Sequence, residues 1–485
     1  MHPLFTPFRI HHEEMHSLDP YDGSDENGLH GREERTDRRA HGEADFRTVA
    51  EFVYNAMGDM IERRTYTNAT DYVAERFAYD HEGREIASTN ALGSVVTTSY
   101  DPRGNVIAVD GATYPLRMEY DLKSRLTALT TFRDAGGAAS SPPVGDTTRW
   151  TLDPATGLCL SKTYADNSTV SYTYAPDGLP ARTTWPGGRW QENGYNARRE
   201  VVSTERSDGE ETAFAYDVYS REIAATNDSA AIEFTRDDRG RATNVTTTVA
   251  GEVHSLVREF DAVGRFSQTG DLFYGYDAEG RLSIVSNVAV AVDYHYAADG
   301  LDAGYSLTLP GGAVFTRSVT RDALRRSLVT GIASSFGENT VEGIAYSYDA
   351  LGRPVVRNAD AFGYNGRGEV ASASILGWSQ SPARASYGYD GIGNMQQSTF
   401  NAATNTYTAN CLNQYTSIQE ISAPSAPPRE PTYDLDGNML TDGVLSFTYD
   451  AASRLKAVSS NNVLLVTNFY DAKSRRVKNR SGGQT

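Results

Sequence analysis

Residues 276–281 of this 485-residue chain are Tyr276-Asp277-Ala278-Glu279-Gly280-Arg281, and close variants of this pattern recur along almost the whole sequence. An aspartate that opens a type I turn accepts a hydrogen bond from the backbone two residues on. The fourth residue counted from the aspartate, here Gly280, then suits a left-handed conformation, which glycine adopts without steric penalty. Each copy therefore predicts a tight corner between two strands.

Eleven clean copies occur between Tyr79 and Tyr470, and their fourth position is glycine seven times and serine four times. Eight weaker copies and a degenerate one near Asn410 bring the mean spacing to about 22 residues, as in stacked-repeat proteins. We expect the following clean-copy residues to form structural turns: Tyr79, Asp80, Gly83, Arg84, Tyr100, Asp101, Gly104, Tyr276, Asp277, Gly280, Arg281, Tyr348, Asp349, Gly352, Arg353, Tyr389, Asp390, Gly393, Tyr433, Asp434 and Gly437.

The segments beside the corners are strand-like. Residues 95–100 and 463–470 are rich in β-branched, aromatic or aliphatic side chains. A lone hairpin is marginally stable in water, so the units must pair edge to edge. The sequence therefore predicts an all-β fold over residues 46–485, a very long, coiling array of hairpins with one face buried or enclosed.

Residues 1–45 differ in composition from this array. They hold six of the nine histidines, many charged residues and few aliphatic ones, so we expect a mostly disordered polar arm. Residues 1–10 lack the apolar core of a secretory signal, and no run of apolar residues is long enough for a membrane-spanning helix. The net charge of -18 argues against nucleic acid as a partner.

The repeated unit resembles the YD repeat of the Rhs (rearrangement hotspot) family. Four late segments, taken in order, are similar to the late part of an Rhs core: residues 413–418, 433–438, 449–455 and 470–477. The resemblance covers residues 46–485. It implies a β-cocoon, a spiralling strip of hairpins that forms a hollow shell, as in insecticidal toxin complexes and teneurins.

In this family the shell commonly encloses a C-terminal toxin, which makes a toxin cargo or a secretion-system component the expected partner and a secreted or surface location the expected one. The family's core usually closes with a later segment that contains an Asp-Pro-x-Gly motif, and this sequence stops at Thr485 before one. The nearest string, residues 153–157, is one residue too long and lies in the middle of the array. We therefore expect a partial core.

One motif in the arm resembles a catalytic metal site. His12-Glu13-Glu14-Met15-His16 matches the pattern in which two histidines on one helix face bind zinc and the glutamate acts as a base. It lies in the polar arm, and Asp19-Pro20 would end any helix soon after it, so we interpret it as unstructured. The two cysteines, Cys159 and Cys411, exclude a disulfide framework and a four-cysteine metal site.

The repeated aspartates and arginines could be viewed as acid–base pairs, but a catalytic pair occurs once whereas a turn device recurs with every turn. We expect no catalytic, cofactor-binding or metal-binding residue. The tyrosines either pack on their neighbours as a ladder or stack on sugar rings. The leading hypothesis is a non-catalytic shell; the alternative is a surface or secreted protein that binds carbohydrate or a partner protein.

Overall fold

The computed structural model describes residues 26–27, 33–38, 47–134, 145–376, 382–423 and 425–482. These residues form β-strands joined by short turns and contain no helix. The predicted all-β array of hairpins is therefore confirmed.

The strands are short and follow one another at close intervals. Up to residue 134 they are β1 (Glu26–Asn27), β2 (Glu33–Arg38), β3 (Arg47–Tyr54), β4 (Met60–Tyr66), β5 (Tyr72–Tyr79), β6 (Glu85–Thr89), β7 (Val95–Tyr100), β8 (Val106–Gly111), β9 (Leu116–Tyr120) and β10 (Leu126–Thr131). Between residues 145 and 260 they are β11 (Asp146–Leu152), β12 (Cys159–Thr163), β13 (Thr169–Tyr174), β14 (Pro180–Thr184), β15 (Trp190–Tyr195), β16 (Val201–Arg206), β17 (Glu211–Tyr216), β18 (Glu222–Asn227), β19 (Ala230–Arg236), β20 (Ala242–Val249) and β21 (Glu252–Phe260).

The second half continues in the same way. Up to residue 376 the strands are β22 (Phe266–Thr269), β23 (Leu272–Tyr276), β24 (Leu282–Ser286), β25 (Ala291–Tyr296), β26 (Asp302–Thr308), β27 (Val314–Arg321), β28 (Val329–Phe336), β29 (Asn339–Tyr348), β30 (Pro354–Arg357), β31 (Asp360–Tyr364) and β32 (Val370–Ile375). The remaining strands are β33 (Ala383–Tyr389), β34 (Met395–Phe400), β35 (Ala403–Ala409), β36 (Tyr415–Glu420), β37 (Thr432–Tyr433), β38 (Met439–Thr441), β39 (Ser446–Tyr449), β40 (Leu455–Ser460), β41 (Val463–Tyr470) and β42 (Arg476–Ser481).

Within each of two sheets, each strand pairs antiparallel with the next one in sequence. Strands β1 to β36 form one 36-stranded sheet, and β37 to β42 form a second sheet of six. Between the last strand of the first sheet and the second sheet, a bridge joins Ile418 to Arg429, which lies in a proline-rich stretch. Because sequential strands are spatial neighbours throughout, the molecule is a strip that grows in one direction.

The two faces of the strip differ in burial. Along β13, Val170 is buried and Tyr172 and Tyr174 are half-buried, whereas the alternate residues Thr169 and Ser171 are exposed. In the described part of the chain only a few apolar side chains are buried: Ala128, Phe132, Val170, Ala225, Ala230, Ile232, Ala385 and Ala451. The strip therefore depends on contacts between neighbouring strands more than on a central core.

Part of the expected arm is folded. Strands β1 and β2 pair with each other, and β2 pairs with β3, so the sheet begins before residue 46. The remaining residues of 1–45, including the histidine motif His12–His16, lie outside the described residues. Disorder of those residues stays a prediction.

The strip has two kinds of edge. We call the side that carries the Tyr-Asp corners the corner edge, and the opposite side, where the hairpins close at residues such as 90–94 and 206–210, the tip edge. Hydrogen bonds join the tip edge of an early segment to the corner edge of a late one, 243 residues on at Asn227–Tyr470 and 255 residues on at Tyr114–Glu369. The later the first partner lies in the sequence, the later its second partner lies. The strip therefore coils as a spiral, and its second turn lies on its first.

A valine at Gly280 tests the corner geometry. Gly280 has φ +84°, and we expect Gly280→Val to lower the free energy of unfolding of its hairpin by about 1–3 kcal/mol, because a β-branched residue resists positive φ. Hydrogen exchange of residues 276–286 measures this local loss. The matched control is Gly280→Ser, because Ser124 and Ser220 adopt φ of 59° and 62° at the same position of their corners. Equal protection in both variants would contradict the model of the turn.

Candidate functional site

Each corner of a clean copy is organised by one carboxylate. At Asp80, Oδ1 accepts hydrogen bonds from the backbone amides of Glu82 and Arg84 at 3.0 and 2.9 Å. Its other oxygen, Oδ2, accepts one from Arg84 Nε at 2.7 Å. Gly83, the fourth residue, has φ +78°, and its amide donates to the carbonyl of Asp80 at 3.1 Å. One aspartate thus holds both the backbone of the turn and the side chain that follows it.

The other sequence-predicted corners have the same arrangement. Asp277 and Asp349 accept hydrogen bonds from Arg281 and Arg353, whereas an asparagine replaces the arginine after Asp101, Asp390 and Asp434. The glycines at the fourth position have positive φ: Gly104 (87°), Gly280 (84°), Gly352 (75°), Gly393 (89°) and Gly437 (86°). The sequence pattern therefore corresponds to one repeated local structure.

In most of the clean units the tyrosine bonds to the unit before it, whereas the hydroxyl of Tyr120 donates to Met118 Sδ at 3.4 Å. The hydroxyl of Tyr100 donates to the carbonyl of Glu85 at 2.8 Å, and Glu85 is the first residue after the preceding corner. Four of the other five predicted tyrosines make the equivalent bond: Tyr79 to Met60, Tyr276 to Phe266, Tyr348 to Val329 and Tyr389 to Val370. This bond sets the register between consecutive hairpins, which the sequence pattern did not reveal.

The arginine of a corner completes the link to the next unit. Arg84 lies over the ring of Tyr100 with its guanidinium carbon 4.9 Å from the ring centroid, and Arg281 lies over Tyr296 at 4.5 Å. A cation over a tyrosine face contributes about 0.5–1 kcal/mol at a surface site. The aspartate therefore positions an arginine that in turn packs on the next tyrosine. The spacing between the arginine and the next tyrosine varies, from 16 residues at Arg84–Tyr100 to 11 at Arg353–Tyr364, so no fixed offset in the sequence indicated this contact.

The corner carboxylates are held in the charged form. The hydrogen bond from Arg125 and the backbone amides of Arg125 and Lys123 lower the pKa of Asp121 to about 2. Burial raises the pKa of Asp217, but the hydrogen bonds from Arg221 outweigh it, so that this pKa is also about 2. Such groups are poor proton carriers at neutral pH because they stay ionised and paired. The corners are suited to structure and not to acid–base chemistry.

A second group of polar contacts forms the seam between the two turns of the spiral. Arg189, at a tip of the first turn, forms an ion pair with Asp436 in a corner of the second, and both side chains are largely buried. Its Nη2 also donates to Ser453 Oγ at 2.9 Å, and its Nη1 donates to the carbonyl of Asp450 at 3.1 Å. One tip arginine therefore binds two successive corners of the later turn.

The seam continues in both directions. Arg454 Nη2 donates to Glu210 Oε2 at 2.6 Å while its Nε stays bonded to its own Asp450. The amide of Ala451 donates to Asp208 Oδ2 at 2.9 Å. Burial raises the pKa of Asp208, but the amide hydrogen bonds it accepts outweigh that effect, and the net pKa lies below the usual value. The seam is therefore polar and ionic, and charged side chains of the tips form ion pairs with charged side chains of the corners.

Earlier in the strip, Arg133 links four groups. Its Nε donates to Asp146 at 2.9 Å within its own turn, and Nη1 lies 3.4 Å from Asp390 in the later turn. Its Nη2 donates to Asn413 Oδ1 at 3.0 Å and to the carbonyl of Asn410. Sequence analysis did not single out Arg133, Arg189 or Glu210, because these positions are not part of the repeated pattern. Their partners in the later turn come close only through the winding of the strip.

The remaining candidates do not assemble into a site. Cys159 and Cys411 are free thiols, and burial raises the pKa of both. No group of three or more histidine, cysteine, aspartate or glutamate side chains suited to a metal ion occurs in the described part of the chain. Within the same residues, no helix is long and apolar enough to cross a membrane. The histidine motif lies outside the described residues.

Acid should weaken the corners in a defined pH range. The folded pKa of Asp121 is about 2, below the ordinary value of 3.8, so its contribution to stability is complete above pH 3.8 and is lost as the pH falls towards 2. We expect Asp121→Asn to destabilise the protein near neutral pH, with the difference from wild type shrinking towards zero at about pH 2. Urea unfolding at a series of pH values measures this difference. A difference that does not change with pH would contradict the assignment.

The tyrosine link is tested by removing one hydroxyl. We expect Tyr100→Phe to cost about 1 kcal/mol of stability, because the carbonyl of Glu85 loses its donor. The matched control is Tyr219→Phe, because the Tyr219 side chain is exposed at a corner and its loss should be nearly neutral. Thermal unfolding of both variants gives the comparison, and equal melting temperatures would show that the hydroxyl does not stabilise the register.

Comparison with known proteins identifies the repeat. Residues 305–485 match the family Teneurin YD-shell, and residues 79–115 match the family RHS Repeat. A sequence search of curated proteins finds no match. Crystal structures of TcdB2-TccC3-Cdc42 and TcdB2-TccC3-TEV are similar in fold, with TM-scores of 0.61 and 0.55 and identities of 14% and 13%. In both comparisons 92% of this chain is covered, and it spans 29% of the other chain.

At these identities the two structures show the fold alone. The family matches, in contrast, show similarity in the sequence of the repeats. The matched residues include the late segments on which the resemblance was based, at 413–418, 433–438, 449–455 and 470–477. The chain thus carries teneurin-type YD-shell and RHS repeats, and its resemblance to the Rhs family is confirmed.

Proposed function

We propose that this YD-repeat strip is a non-catalytic wall that encloses a polypeptide cargo of the toxin kind. The observation that carries the proposal is the seam. Arg189, Arg454 and their partners join the second turn of the spiral to the first, edge against edge. A coiled strip that is sealed along its edges separates the space it surrounds from the solvent, as a container must.

The state of the corner side chains supports a non-catalytic role. Each corner carboxylate accepts bonds from its own turn and its own arginine or asparagine, as at Asp80 and Asp101. A reacting group needs a free position towards a substrate, and it is normally unique in the chain. A carboxylate that recurs in every clean unit, paired each time with the fifth residue of its own turn, fits the construction of a wall.

The burial pattern supports an enclosed volume. Alternate residues of β13 and β17 differ in exposure, yet only a few apolar side chains along the strip are fully buried. A sheet whose faces pack on no second layer, and which coils on itself, surrounds space that a chain can occupy. A toxin is the cargo that the Rhs resemblance implies for that space.

The alternative of carbohydrate binding has less support. A sugar-binding ladder needs tyrosine rings and hydroxyls that are free for the ligand. The hydroxyls of Tyr79, Tyr100, Tyr276 and Tyr389 donate to backbone carbonyls of the preceding units. These tyrosines act as links between hairpins, which favours the wall.

A fused reporter tests the enclosure. We attach an unstructured, trypsin-sensitive polypeptide after Thr485 and measure its digestion by mass spectrometry. We expect the wild-type strip to slow digestion of the fused reporter relative to the free reporter. In the double variant Arg189→Ala/Glu210→Ala the seam loses contacts to Ser453 and Arg454, and we expect protection to fall at least tenfold.

The control keeps the seam intact. Arg258→Ala removes an arginine that lies over Phe266, outside the two segments that the seam joins, and should leave protection unchanged. Circular dichroism checks that all variants retain the strand signal. If the reporter is digested as fast in the wild type as in the free state, the protein does not enclose cargo and the proposal is wrong.

A further inference from the structure

In the five-residue corners that begin with aspartate or asparagine, the first and fifth side chains form a complementary pair. After an aspartate such as Asp277 or Asp390, the fifth residue is an arginine or asparagine that donates a hydrogen bond to the carboxylate. After an asparagine the roles are exchanged, and the asparagine Nδ2 donates to the fifth residue. The exchanged pairs are Asn55–Asp59, Asn196–Glu200, Asn365–Glu369 and Asn410–Gln414. Among the described corners of this length, none has a carboxylate at both positions.

The corner at Asn365 holds its carboxamide in the same way as the corner at Asn196. Asn365 Oδ1 accepts the backbone amides of Arg367 and Glu369 at 3.0 and 3.1 Å, and Nδ2 donates to Glu369 Oε2 at 2.6 Å. Asn196 Oδ1 accepts the two equivalent amides at 2.9 and 3.1 Å, and its Nδ2 donates to Glu200. The two carboxamides therefore have matching hydrogen bonds.

The residue after Asn365 is a glycine that the turn does not require. Gly366 is not among the residues with positive φ. A Cβ added to it would lie 3.9 Å from Ser94 Oγ and 4.0 Å from the Cβ of Ala112, which are ordinary contact distances. In the matching corner the same position is occupied by Ala197. The two corners thus differ at this position by one methyl group that both can accommodate.

An asparagine followed by glycine is open to attack by the next backbone nitrogen, because glycine has no side chain to hinder it. In the described part of the chain the Gly366 amide donates no hydrogen bond, so solvent base can remove its proton. The nitrogen bonds to Asn365 Cγ, the Cγ–Nδ2 bond breaks, and Nδ2 leaves as ammonia with a proton from water. Water then opens the succinimide to aspartate or isoaspartate. The two amides on Oδ1 stabilise the negative charge that develops on this oxygen during the attack.

Conversion of Asn365 violates the pairing of the corner. An aspartate places a second carboxylate against Glu369 where a hydrogen bond was donated, and like charges this close repel each other. An isoaspartate adds one carbon to the main chain and cannot keep the turn. The corner belongs to the seam, because Glu369 Oε1 accepts a hydrogen bond from the Tyr114 hydroxyl at 3.2 Å and Arg367 lies over the Tyr114 ring at 5.4 Å.

We infer that Asn365 is a site of spontaneous deamidation and that its conversion loosens the seam at Tyr114. The site is a slow, irreversible timer on the contact between the two turns of the spiral. The inference does not rest on cargo enclosure, because it concerns the chemistry and the stability of one corner.

Peptide mass spectrometry tests the chemistry. We incubate the full chain at mildly alkaline pH for several weeks and measure aspartate and isoaspartate at residues 365 and 196. We expect Asn365 to convert about tenfold faster than Asn196, because only Asn365 precedes a glycine. Gly366→Ala should lower the rate at residue 365 to that at residue 196. Equal rates at the two asparagines of the wild type overturn the inference.

Asn365→Asp tests the effect on the seam without chemical ageing. We measure hydrogen exchange of residues 365–370 in the corner and 112–118 in the first turn. We expect protection of both segments to fall about tenfold, because the added carboxylate repels Glu369. The matched control is Asn196→Asp, which should loosen its own corner and leave residues 112–118 unchanged. Unchanged protection of residues 112–118 in Asn365→Asp overturns the inference.

A rescue variant separates charge pairing from a general loss of structure. Asn365→Asp/Glu369→Arg recreates the pair that Asp277 and Arg281 form. We expect it to restore the protection of residues 365–370 to the wild-type level. If the double variant is as poorly protected there as Asn365→Asp, the pairing does not control the corner and the inference is wrong.

Discussion

The fold depends on the corner aspartate that the eleven clean units share. Because the corner aspartate accepts two backbone amides and an arginine, as Asp80 does from Glu82 and Arg84, it fixes the turn and the side chain that follows it. That arginine packs on the next tyrosine, and the tyrosine hydroxyl returns to the preceding hairpin. A unit with all three residues is thereby linked to both neighbours, and the hydrogen bond between its aspartate and arginine is charge-assisted, which makes it stronger than a neutral one.

A strip with this construction distributes its stability along its length. Few side chains are as buried as Phe132 or Ile232, so no single core residue holds the molecule together. Stability is then close to a sum of hairpin terms and neighbour terms, as in other repeat proteins. Damage to one corner is expected to loosen a local segment and leave distant hairpins folded.

Winding creates a second level of structure from edges that would otherwise be exposed. An open strip presents polar turns and unpaired groups at its edges, which proteins normally cover. Here the tips of the first turn and the corners of the second cover each other through ion pairs such as Arg189–Asp436 and Arg454–Glu210.

The sequence by itself determined the corners and the all-β ladder, because a turn is local: Asp277, Gly280 and Arg281 lie within five positions and carry their own geometry. It also indicated the tyrosines, but not that Tyr276 bonds to Phe266. Only the tertiary structure decided the seam, because Arg189 and Asp436 are 247 positions apart and meet through the accumulated twist of many strands. The residue pattern of a single unit does not indicate this accumulated twist.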